Sequence, residues 1–344
     1  MRLIRISDDR WIYVRSHHHI LLDAWCLPLL LVDFLAYYEA CVRGEPLPNK
    51  KVTPYREYIA WLGRQDMVSA EHFWRNALRG FDTPAYLAGS RRAVSIPQVE
   101  PTVADEIAHL SRDDTTALHE LARRYKLTPF TFMQAAWAVL MNRYTNRREV
   151  LFGVTVAGRP AEIDQVEEMA GLFINTLPLR VGVEPNALLL DWLHELLTLG
   201  LEMRQFDYAP LVNMQKWSDV EPGKALFDSF VVFENVPVNQ SLQRAHMPLD
   251  IVSYESRTHS NYPLNLTIRP GDELRLKLTY DRGLFDAPTV ARMLGHYITL
   301  LESMIRNPQG RLCDLPMLPE SEHKQLLHTW NQTENFYPEP RDVV

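Results

Sequence analysis

The chain has 344 residues, of which 46% are hydrophobic and 23% are charged, and its formal net charge is −7 at pH 7. This composition is typical of a globular protein and argues against disorder, and the length is sufficient for two domains. The acidic balance, with no basic block, argues against a nucleic-acid partner. No run of about 18 apolar residues is present to predict a membrane span. Three scattered cysteines suit a reducing cytoplasm and predict no disulfide framework.

The first predicted elements are two strands and a helix. Leu3 to Ile6 and Trp11 to Val14 alternate in the way strands do and are separated by a polar turn, which predicts a hairpin. The helix is predicted from Pro28 to Val42 and ends at Gly44, a residue type favoured just past a helix C-terminus. Residues 16–25 are therefore expected to form a strand-to-helix turn, a common place for side chains that face a cleft.

The rest of the chain mixes helices and strands. Helices are predicted at Pro54–Leu62, Ser69–Leu78, Ser111–Tyr125, Pro129–Tyr144, Asp191–Met203 and Asp286–Met304. Ser69 and Ser111 are predicted to be the N-caps of their helices. Strands are predicted at Thr102–His109, Val150–Val156, Gly171–Arg180, Leu226–Pro237, Asp250–Ser256, Tyr262–Ile268 and Leu274–Tyr280. A loosely patterned connector predicts a boundary near residue 90, and after residue 316 a short helix precedes a proline-containing tail.

The predicted turn concentrates groups that titrate near neutrality. His17, His18 and His19 are consecutive, and Asp23 follows at a spacing of four. If the histidines continue the strand, His17 and His19 share one face, and at least one of the three is expected to pack into the core. A zinc site is an alternative, although no further ligand is marked nearby. Asp23 by itself also fits a helix N-cap.

The run from His18 to Ala24, HHILLDA, resembles the His-His-x-x-x-Asp-Gly motif of condensation domains of nonribosomal peptide synthetases, members of the chloramphenicol acetyltransferase-like superfamily. Ala24 stands where this family has glycine. If that position requires a positive φ, the alanine costs on the order of 1 kcal/mol or more and reduces the expected catalytic competence.

Other segments resemble further motifs of the same family. Residues 171–180 resemble its Gly-Leu-Phe-Val-Asn-Thr-x-x-x-Arg element, and residues 157–160 resemble its Ser-Gly-Arg segment. The amide of Asn175 interrupts an apolar strand, so it must be hydrogen-bonded and either braces strands or lines a channel. Weaker matches occur at 54–62, where aromatic packing is the favoured interpretation, and at 208–215 and 226–237. The resemblance implies a substrate channel lined by Ala24, Trp25, Gly158, Arg159 and Asn175.

The resemblance implies an α/β (α+β) fold, specifically a two-lobed chloramphenicol-acetyltransferase-like sandwich. Residues 1–90 would be the remainder of the N-terminal lobe, 91–316 the C-terminal lobe, and 317–344 a linker towards an adenylation domain. Because the family's earlier motifs do not precede the hairpin, the chain is expected to be N-terminally truncated, with an incomplete first lobe. Little or no activity is expected from such a fragment alone.

The implied reaction joins two carrier-bound aminoacyl or peptidyl thioesters through a new peptide bond. His19 would lie where the reaction occurs, with His18 beside it, and Asp23 would be an anchor for an arginine of the first lobe. That arginine is expected in a segment this chain lacks, which would leave Asp23 without its partner. Upstream and downstream peptidyl carrier domains would deliver the substrates on phosphopantetheine arms. No cofactor or metal bound by the domain and no nucleic-acid or membrane partner are expected.

Three alternatives stay open. The first is an epimerization domain or a free-standing acyltransferase of the same superfamily, against which the linker-like tail argues. The second is a degenerate docking lobe without catalysis, favoured by Ala24 and opposed by the intact His18, His19 and Asp23. The third is a zinc protein. No covalent acyl-enzyme is expected, because the sequence has no Gly-x-Ser-x-Gly elbow.

Overall fold

The structure is a computed structural model and describes residues 1–87, 103–234, 249, 251–253 and 260–333. It divides into two compact units, each assembled from segments that are distant in sequence. The first comprises Met1–Tyr86, Leu151–Arg180 and Leu199–Pro270, and the second comprises Leu87–Val150, Val181–Thr198 and Gly271–Val344. The predicted lobe boundaries at residues 90 and 316 stay predictions.

Helices and strands follow each other along the whole described chain. The strands are β1 (Arg2–Arg5), β2 (Trp11–Val14), β3 (Val103–Leu110), β4 (Glu149–Val156), β5 (Asn175–Gly182), β6 (Ser229–Phe233), β7 (Leu264–Arg269) and β8 (Leu274–Asp281). The helices are α1 (Cys26–Arg43), α2 (Arg56–Leu62), α3 (Met67–Leu78), α4 (Arg112–Arg124), α5 (Pro129–Thr145), α6 (Leu189–Arg204), α7 (Leu211–Trp217), α8 (Ala287–Arg306) and α9 (Glu320–Lys324). None of the described helices is long and apolar enough to cross a membrane.

The first unit begins with the predicted hairpin. Strands β1 and β2 are antiparallel, with Leu3 opposite Tyr13, and all eight of their residues are exposed. Helix α1 then ends at Gly44, as predicted, because the φ of 66° at this residue is one that glycine adopts without strain. The strands β7, β6, β4 and β5 are neighbours in that order, and β6 runs parallel to both β4 and β7.

Helix α3 is capped by a different residue from the one predicted. The Asp66 carboxylate accepts the backbone N–H groups of Val68 and Ser69, at 3.0 Å each. Ser69, the predicted cap, lies inside the first turn, and its hydroxyl donates to Asp66 instead. Ser69 supplies one of the unpaired amides of the first turn, so the acceptor has to come from the residue before the helix.

The second unit has its core around the buried helix α5. Strands β3 and β8 pair antiparallel along their full length, from Val103 opposite Asp281 to Leu110 opposite Leu274. The predicted cap of α4 is confirmed: its Ser111 hydroxyl accepts the Asp114 amide. Helix α8 packs on α5, where the buried Tyr297 hydroxyl donates to a backbone carbonyl at 3.0 Å.

Four predicted segments differ in extent from the structure. The strand predicted at 171–180 is β5, which begins only at Asn175. The strand predicted at 226–237 is the shorter β6, and its last residues lie outside the described chain. Of the strand predicted at 250–256, only residues 251–253 are described, and they carry no regular structure. The short C-terminal helix is α9 followed by a π-helical turn, Gln325–Thr329, and the tail from residue 334 lies outside the described residues.

Candidate functional site: a histidine turn held by a buried carboxylate

The histidine run leaves the strand before it reaches His19. His19–Leu21 form a short 3₁₀ helix, and His18 caps it by accepting the Ile20 amide on its Nδ1 at 3.1 Å. The Nδ1 atom is the acceptor in this hydrogen bond, so the His18 ring supports the first turn of the short helix. The His19 ring is exposed, and within the described part of the chain no side chain hydrogen-bonds to it.

The prediction that one of the three histidines packs into the core is wrong. All three are exposed, because β2 ends at Val14 and the run is not part of a strand with a buried face. Partial desolvation lowers the pKa of His17, and the positive charges of Arg15 and His19 act in the same direction. A zinc site gains no support, since the described residues contain no group of three or more His, Cys, Asp or Glu side chains placed to hold a metal ion.

The Asp23 carboxylate lies at the centre of a buried hydrogen-bond network. It accepts the Phe173 amide at 3.0 Å on one oxygen and the Cys26 thiol at 3.2 Å on the other. The same second oxygen is 3.4 Å from the Arg159 guanidinium, and the side chains of Asp23 and Arg159 are 0% and 6% exposed. The Asp23 backbone amide donates to the Gly171 carbonyl at 3.2 Å. These hydrogen bonds and the ion pair together fix the position of this residue.

The expectation that Asp23 lacks its arginine is wrong. The partner is Arg159, 136 residues later in the chain, and not a residue outside the sequence. The alternative role as a helix cap is also wrong, since helix α1 begins at Cys26 and the Asp23 side chain bonds elsewhere. Local sequence gives no information on a partner that folding brings from this distance.

The Arg159 guanidinium holds the loop that follows it. One terminal nitrogen donates to the carbonyls of Val166 and Met169, at 3.0 Å to the latter, and the other faces Asp23. The cation also lies 4.0 Å from the centre of the Phe173 ring, a distance at which a cation and an aromatic face attract. The buried Nε has no hydrogen-bond partner in the described structure. Arg159 thus ties the backbone of this loop to the Asp23 carboxylate.

Two glycines permit the close approach of these segments. A Cβ on Gly158, whose φ is +59°, would lie 1.9 Å from the Phe173 carbonyl oxygen. A Cβ on Gly171 would lie 2.1 Å from the Tyr55 ring, which also packs edge-on against Phe173 at 5.2 Å. Because backbone and a packed ring cannot move aside, both positions require glycine. The Gly-Arg and Gly-Leu-Phe motifs therefore meet directly.

Trp25 and Ala24 lie beside the network. The Trp25 indole N–H donates to the Glu167 carbonyl at 2.9 Å, and its ring centre is 5.6 Å from the Arg159 guanidinium. Ala24 is not among the described residues with positive φ. The strain expected from alanine at the glycine position of the motif is therefore absent, because the backbone there does not enter the left-handed region.

Asn175 braces a turn in the same unit. Its side-chain amide donates to the carbonyls of Asp207 and Ala209 at 2.7 Å each, and its oxygen accepts the Thr176 amide at 2.9 Å. The amide is half-buried, and these bonds satisfy it as the sequence predicted. A channel-lining role for Asn175 stays a prediction.

Three members of the network were not predicted from the sequence: Cys26, Gly171 and Phe173. Gly171 and Phe173 lie inside a segment that resembles a family motif, but in that segment only the polar side chains were expected to have a role. Cys26 follows Asp23 by three residues, one helical turn, a spacing at which two side chains can meet. That spacing was the available signal for the cysteine.

The mixed α/β fold is shared with known structures. The X-domain from teicoplanin biosynthesis aligns with a TM-score of 0.73 and 19% identity, over 88% of this chain and 70% of that chain. The first condensation domain of the calcium-dependent antibiotic synthetase, in complex with a substrate analogue, aligns with a TM-score of 0.68 and 15% identity, over 88% and 66% of the two chains. At these identities the likeness concerns the fold alone.

The sequence comparisons give the family. The model of the condensation domain matches residues 1–327. Bacitracin synthase 3 of Bacillus licheniformis is 32% identical over 344 residues, which are 99% of this chain and 5% of that protein. Chondramide synthase cmdD of Chondromyces crocatus is 40% identical over 336 residues, which are 96% of this chain and 8% of that protein. The chain belongs to the condensation domain family, as the histidine motif predicted, and it spans a small fraction of the length of these curated relatives.

Proposed function

We propose that this chain catalyses peptide-bond formation between two carrier-bound aminoacyl or peptidyl thioesters in nonribosomal peptide synthesis. The observation that carries the proposal is the Asp23 carboxylate, which joins the histidine motif to Arg159 and to Phe173 through hydrogen bonds. Three sequence motifs of the family thus converge on one buried network. This network lies directly after the turn that carries the exposed His19.

In the proposed reaction, the amine nitrogen of the acceptor attacks the carbonyl carbon of the donor thioester. The new C–N bond forms, the C–S bond breaks, and the donor's thiol leaves with a proton equivalent to the one the amine loses. His19 is the proposed catalytic residue, because its ring is exposed while its backbone is fixed by the turn. His18 supports the turn through its bond to the Ile20 amide.

Alignment is proposed to contribute more than proton transfer. An α-amine has a pKa of roughly 7.7–8.0, so a useful fraction is already neutral near pH 7. General base catalysis contributes about 10²- to 10⁴-fold, whereas correct alignment of two reactants can lower the barrier by about 7–11 kcal/mol. His19 therefore acts first by holding the amine in line with the thioester and second by accepting its proton.

The proposal also includes the partner domains of this chain, its architecture and its compartment. The substrates arrive on phosphopantetheine arms of upstream and downstream peptidyl carrier domains, and a downstream adenylation domain selects the acceptor. The domain has the two-lobed chloramphenicol-acetyltransferase-like architecture, binds no cofactor of its own and works in the cytoplasm. The free thiols of Cys41 and Cys313, both exposed, suit such a reducing compartment.

The test is a transfer assay with the intact synthetase that contains this chain. Both carriers are loaded with aminoacyl groups, and the mass of the downstream carrier is followed with time. We expect a mass increase equal to the donor acyl group, and none when the acceptor amine is acetylated beforehand. Loaded carriers that never exchange an acyl group would contradict the proposed function and favour a docking role.

A further inference from the structure

The buried thiol of Cys26 contacts both the Asp23 carboxylate and the backbone of Gly171. Its sulfur lies 3.2 Å from the Asp23 carboxylate and 3.1 Å from the Gly171 carbonyl oxygen, and it accepts the Gly171 amide at 3.2 Å. The residue is 0% exposed. One side chain therefore contacts both polar groups of Gly171 and the carboxylate of the histidine motif.

The Cys26 sulfur satisfies a buried backbone group in addition to filling space. Among the described residues, it is the acceptor of the Gly171 amide. A buried amide without an acceptor lowers the stability of the folded chain. The Gly171 carbonyl already accepts the Asp23 amide, so the one thiol proton is assigned to the Asp23 carboxylate. The sulfur, which donates to Asp23 and accepts from the Gly171 amide, then joins residue 23 to residue 171. An alanine at position 26 would break this joint and leave the amide without its acceptor.

The surroundings of Cys26 exclude a nucleophilic role. Burial raises the pKa of the thiol, and the negative charge of Asp23 acts in the same direction. The side chain is closed to solvent, and a thiolate would face a carboxylate 3.2 Å away. The thiol therefore stays protonated at neutral pH, which is the form that both donates and accepts a hydrogen bond.

The effect reaches the histidine through a short piece of backbone. Asp23 directly follows the turn in which the Leu22 amide donates to the His19 carbonyl at 3.3 Å. The position of Asp23 thus sets the position of the turn, and the Cys26 bridge sets that of Asp23. A displacement of about 1 Å at a reacting group can cost about 100-fold in rate, so a loosened anchor is sufficient to be measured.

We propose that Cys26 is a positioning residue, whose thiol locks the Asp23 carboxylate to the backbone of Gly171 and thereby fixes the direction in which His19 faces its substrates. The inference rests on the proposed function, since it concerns the geometry of the same site. It assigns a role in the reaction to a residue that contacts neither substrate nor His19.

The experiment compares Cys26→Ser, Cys26→Ala and Cys26→Val in the intact synthetase, with Cys41→Ala as a matched control. Cys41 is an exposed cysteine on the same helix. Serine keeps a donor and an acceptor, whereas alanine and valine keep neither, and valine also fills the space. The maximal rate of amide formation, the half-saturating concentration of loaded acceptor carrier and the unfolding temperature are measured for each variant.

We expect the maximal rate to fall about 10- to 100-fold in the folded apolar variant, with the half-saturating concentration nearly unchanged. Cys26→Ser should recover most of the rate, and Cys41→Ala should match the wild type. Apolar variants as fast as the wild type would overturn the inference, as would a serine variant as slow as the apolar ones. Failure of both apolar variants to fold would also overturn it, because Cys26 would then be a packing residue.

His19→Ala measured in the same assay separates this inference from the proposed function. If the wild type forms no amide bond, the proposed function fails and the inference falls with it. If the wild type is active, His19→Ala is slow and the apolar variants of Cys26 are fast, the inference alone fails. A slow His19→Ala together with slow apolar and fast serine variants supports both.

Discussion

The Asp23 carboxylate gathers three donors around one buried charge: the Phe173 amide, the Cys26 thiol and the Arg159 guanidinium. Moving two opposite charges out of water is unfavourable, and their attraction compensates only when further hydrogen bonds satisfy both groups. Here Asp23 accepts two further hydrogen bonds, and the Arg159 guanidinium donates to two carbonyls, which leaves its Nε as the one group of the pair without a partner in the described structure. Removal of either charge is therefore far more disruptive than removal of an exposed ion pair.

The substitution Asp23→Ala tests this difference. It leaves the Arg159 guanidinium buried without a counter-charge, which typically costs about 3–5 kcal/mol in the free energy of unfolding. The matched control is Glu71→Ala, which removes an exposed ion pair with Arg75 on α3 and is expected to cost less than about 1 kcal/mol. Urea unfolding of the chain measures both. Equal losses of unfolding free energy in the two variants would contradict the role of the Asp23 network as the anchor of the histidine turn.

Asp207, which lies in the same compact unit as Asp23, has a carboxyl group with a raised pKa. Burial raises its pKa to about 6, with Glu162 acting in the same direction and Arg204 against it. Its backbone carbonyl accepts a hydrogen bond from Asn175, so the loop cannot easily move the carboxyl into solvent. Between about pH 4 and pH 6 the folded chain thus binds more protons here than the unfolded chain, and stability falls as the pH rises through this window.

The substitution Asp207→Asn is expected to remove this pH dependence. The variant should gain stability relative to the wild type as the pH rises from about 4.5 to about 7, because its amide never ionises. Unfolding free energies at both pH values, measured in urea for the two proteins, give the comparison. If the unfolding free energies of Asp207→Asn and the wild type differ by the same amount at both pH values, the prediction is wrong. The Asp207 carboxyl would then have the same pKa in the folded and the unfolded chain.

At the residue scale, the sequence indicated part of the candidate site. His18, His19 and Asp23 were singled out because their spacing is local and matches a motif, and Gly158, Arg159 and Asn175 through weaker motifs. Catalytic roles for the former and channel-lining roles for the latter stay predictions. The pairing of Asp23 with Arg159 was not predicted, since a contact across 136 residues leaves no local pattern. The φ of Ala24 was likewise beyond reach, because one sequence does not give a backbone angle.

Among the elements, the loop after β4 depends on a glycine. Gly158 follows that strand, and its positive φ turns the chain so that Arg159 enters the network. A methyl group there would meet the Phe173 carbonyl, whose residue also donates its amide to Asp23. The strain would therefore be transmitted to the anchor of the histidine turn.

The substitutions Gly158→Ala and Gly200→Ala are expected to change the stability of the folded chain in opposite directions. At Gly158 both the steric clash and the left-handed backbone oppose a side chain, so a loss of more than about 1 kcal/mol is expected. Gly200 lies in helix α6 with open space around its Cβ position, and alanine there should add about 0.5–1 kcal/mol. The unfolding temperatures of both variants measure this difference. Equal shifts in unfolding temperature would contradict the close approach of Gly158 to the Phe173 carbonyl.

The C-terminal helix of the second unit is held by a hydrogen-bonded chain of side chains. The buried His296 ring on α8 lies 2.8 Å from the Tyr144 hydroxyl through Nδ1 and 2.7 Å from the Glu322 carboxylate through Nε2. Burial, followed by the charge of Glu322, raises the pKa of Tyr144 to about 12. The phenol therefore stays protonated and donates to Nδ1, while the ring donates from Nε2 to Glu322.

The substitution Glu322→Ala should loosen α9. Every other residue of that helix is exposed, so the loss of Glu322 removes its main attachment. Hydrogen exchange of the amides at 323–330 is expected to accelerate about tenfold or more, since a bond to a charged group contributes about 1.5–3 kcal/mol. Glu320→Ala, an exposed neighbour, is the control. Unchanged exchange in Glu322→Ala would contradict this role.

Predictions of element ends succeeded where the signal is local. Gly44 and Ser111 were identified as helix termini because their residue types satisfy a terminus directly. The prediction for the histidine run was wrong because a strand pattern does not say where pairing stops. Hairpin β1–β2 ends at Val14, and the chain is free to turn from there.

For the whole molecule, each compact unit draws on segments far apart in the chain. Composition and periodicity are properties of contiguous sequence and so locate elements better than units. The family membership, by contrast, was predicted from a seven-residue run and is confirmed by the match over residues 1–327. The motif indicates a family because residue identities and their spacing have to match together, whereas many apolar residues of similar volume can fill a core.

The central claim is that the imidazole of His19, presented by a turn anchored at Asp23, takes part in amide-bond formation. The most direct measurement is the single-turnover rate of dipeptide formation by the intact synthetase with both carriers preloaded, for wild type and His19→Ala. We expect the variant to lose about 100-fold or more in rate, while adenylation and carrier loading stay unchanged. A His19→Ala enzyme that forms the dipeptide as fast as the wild type would contradict the account.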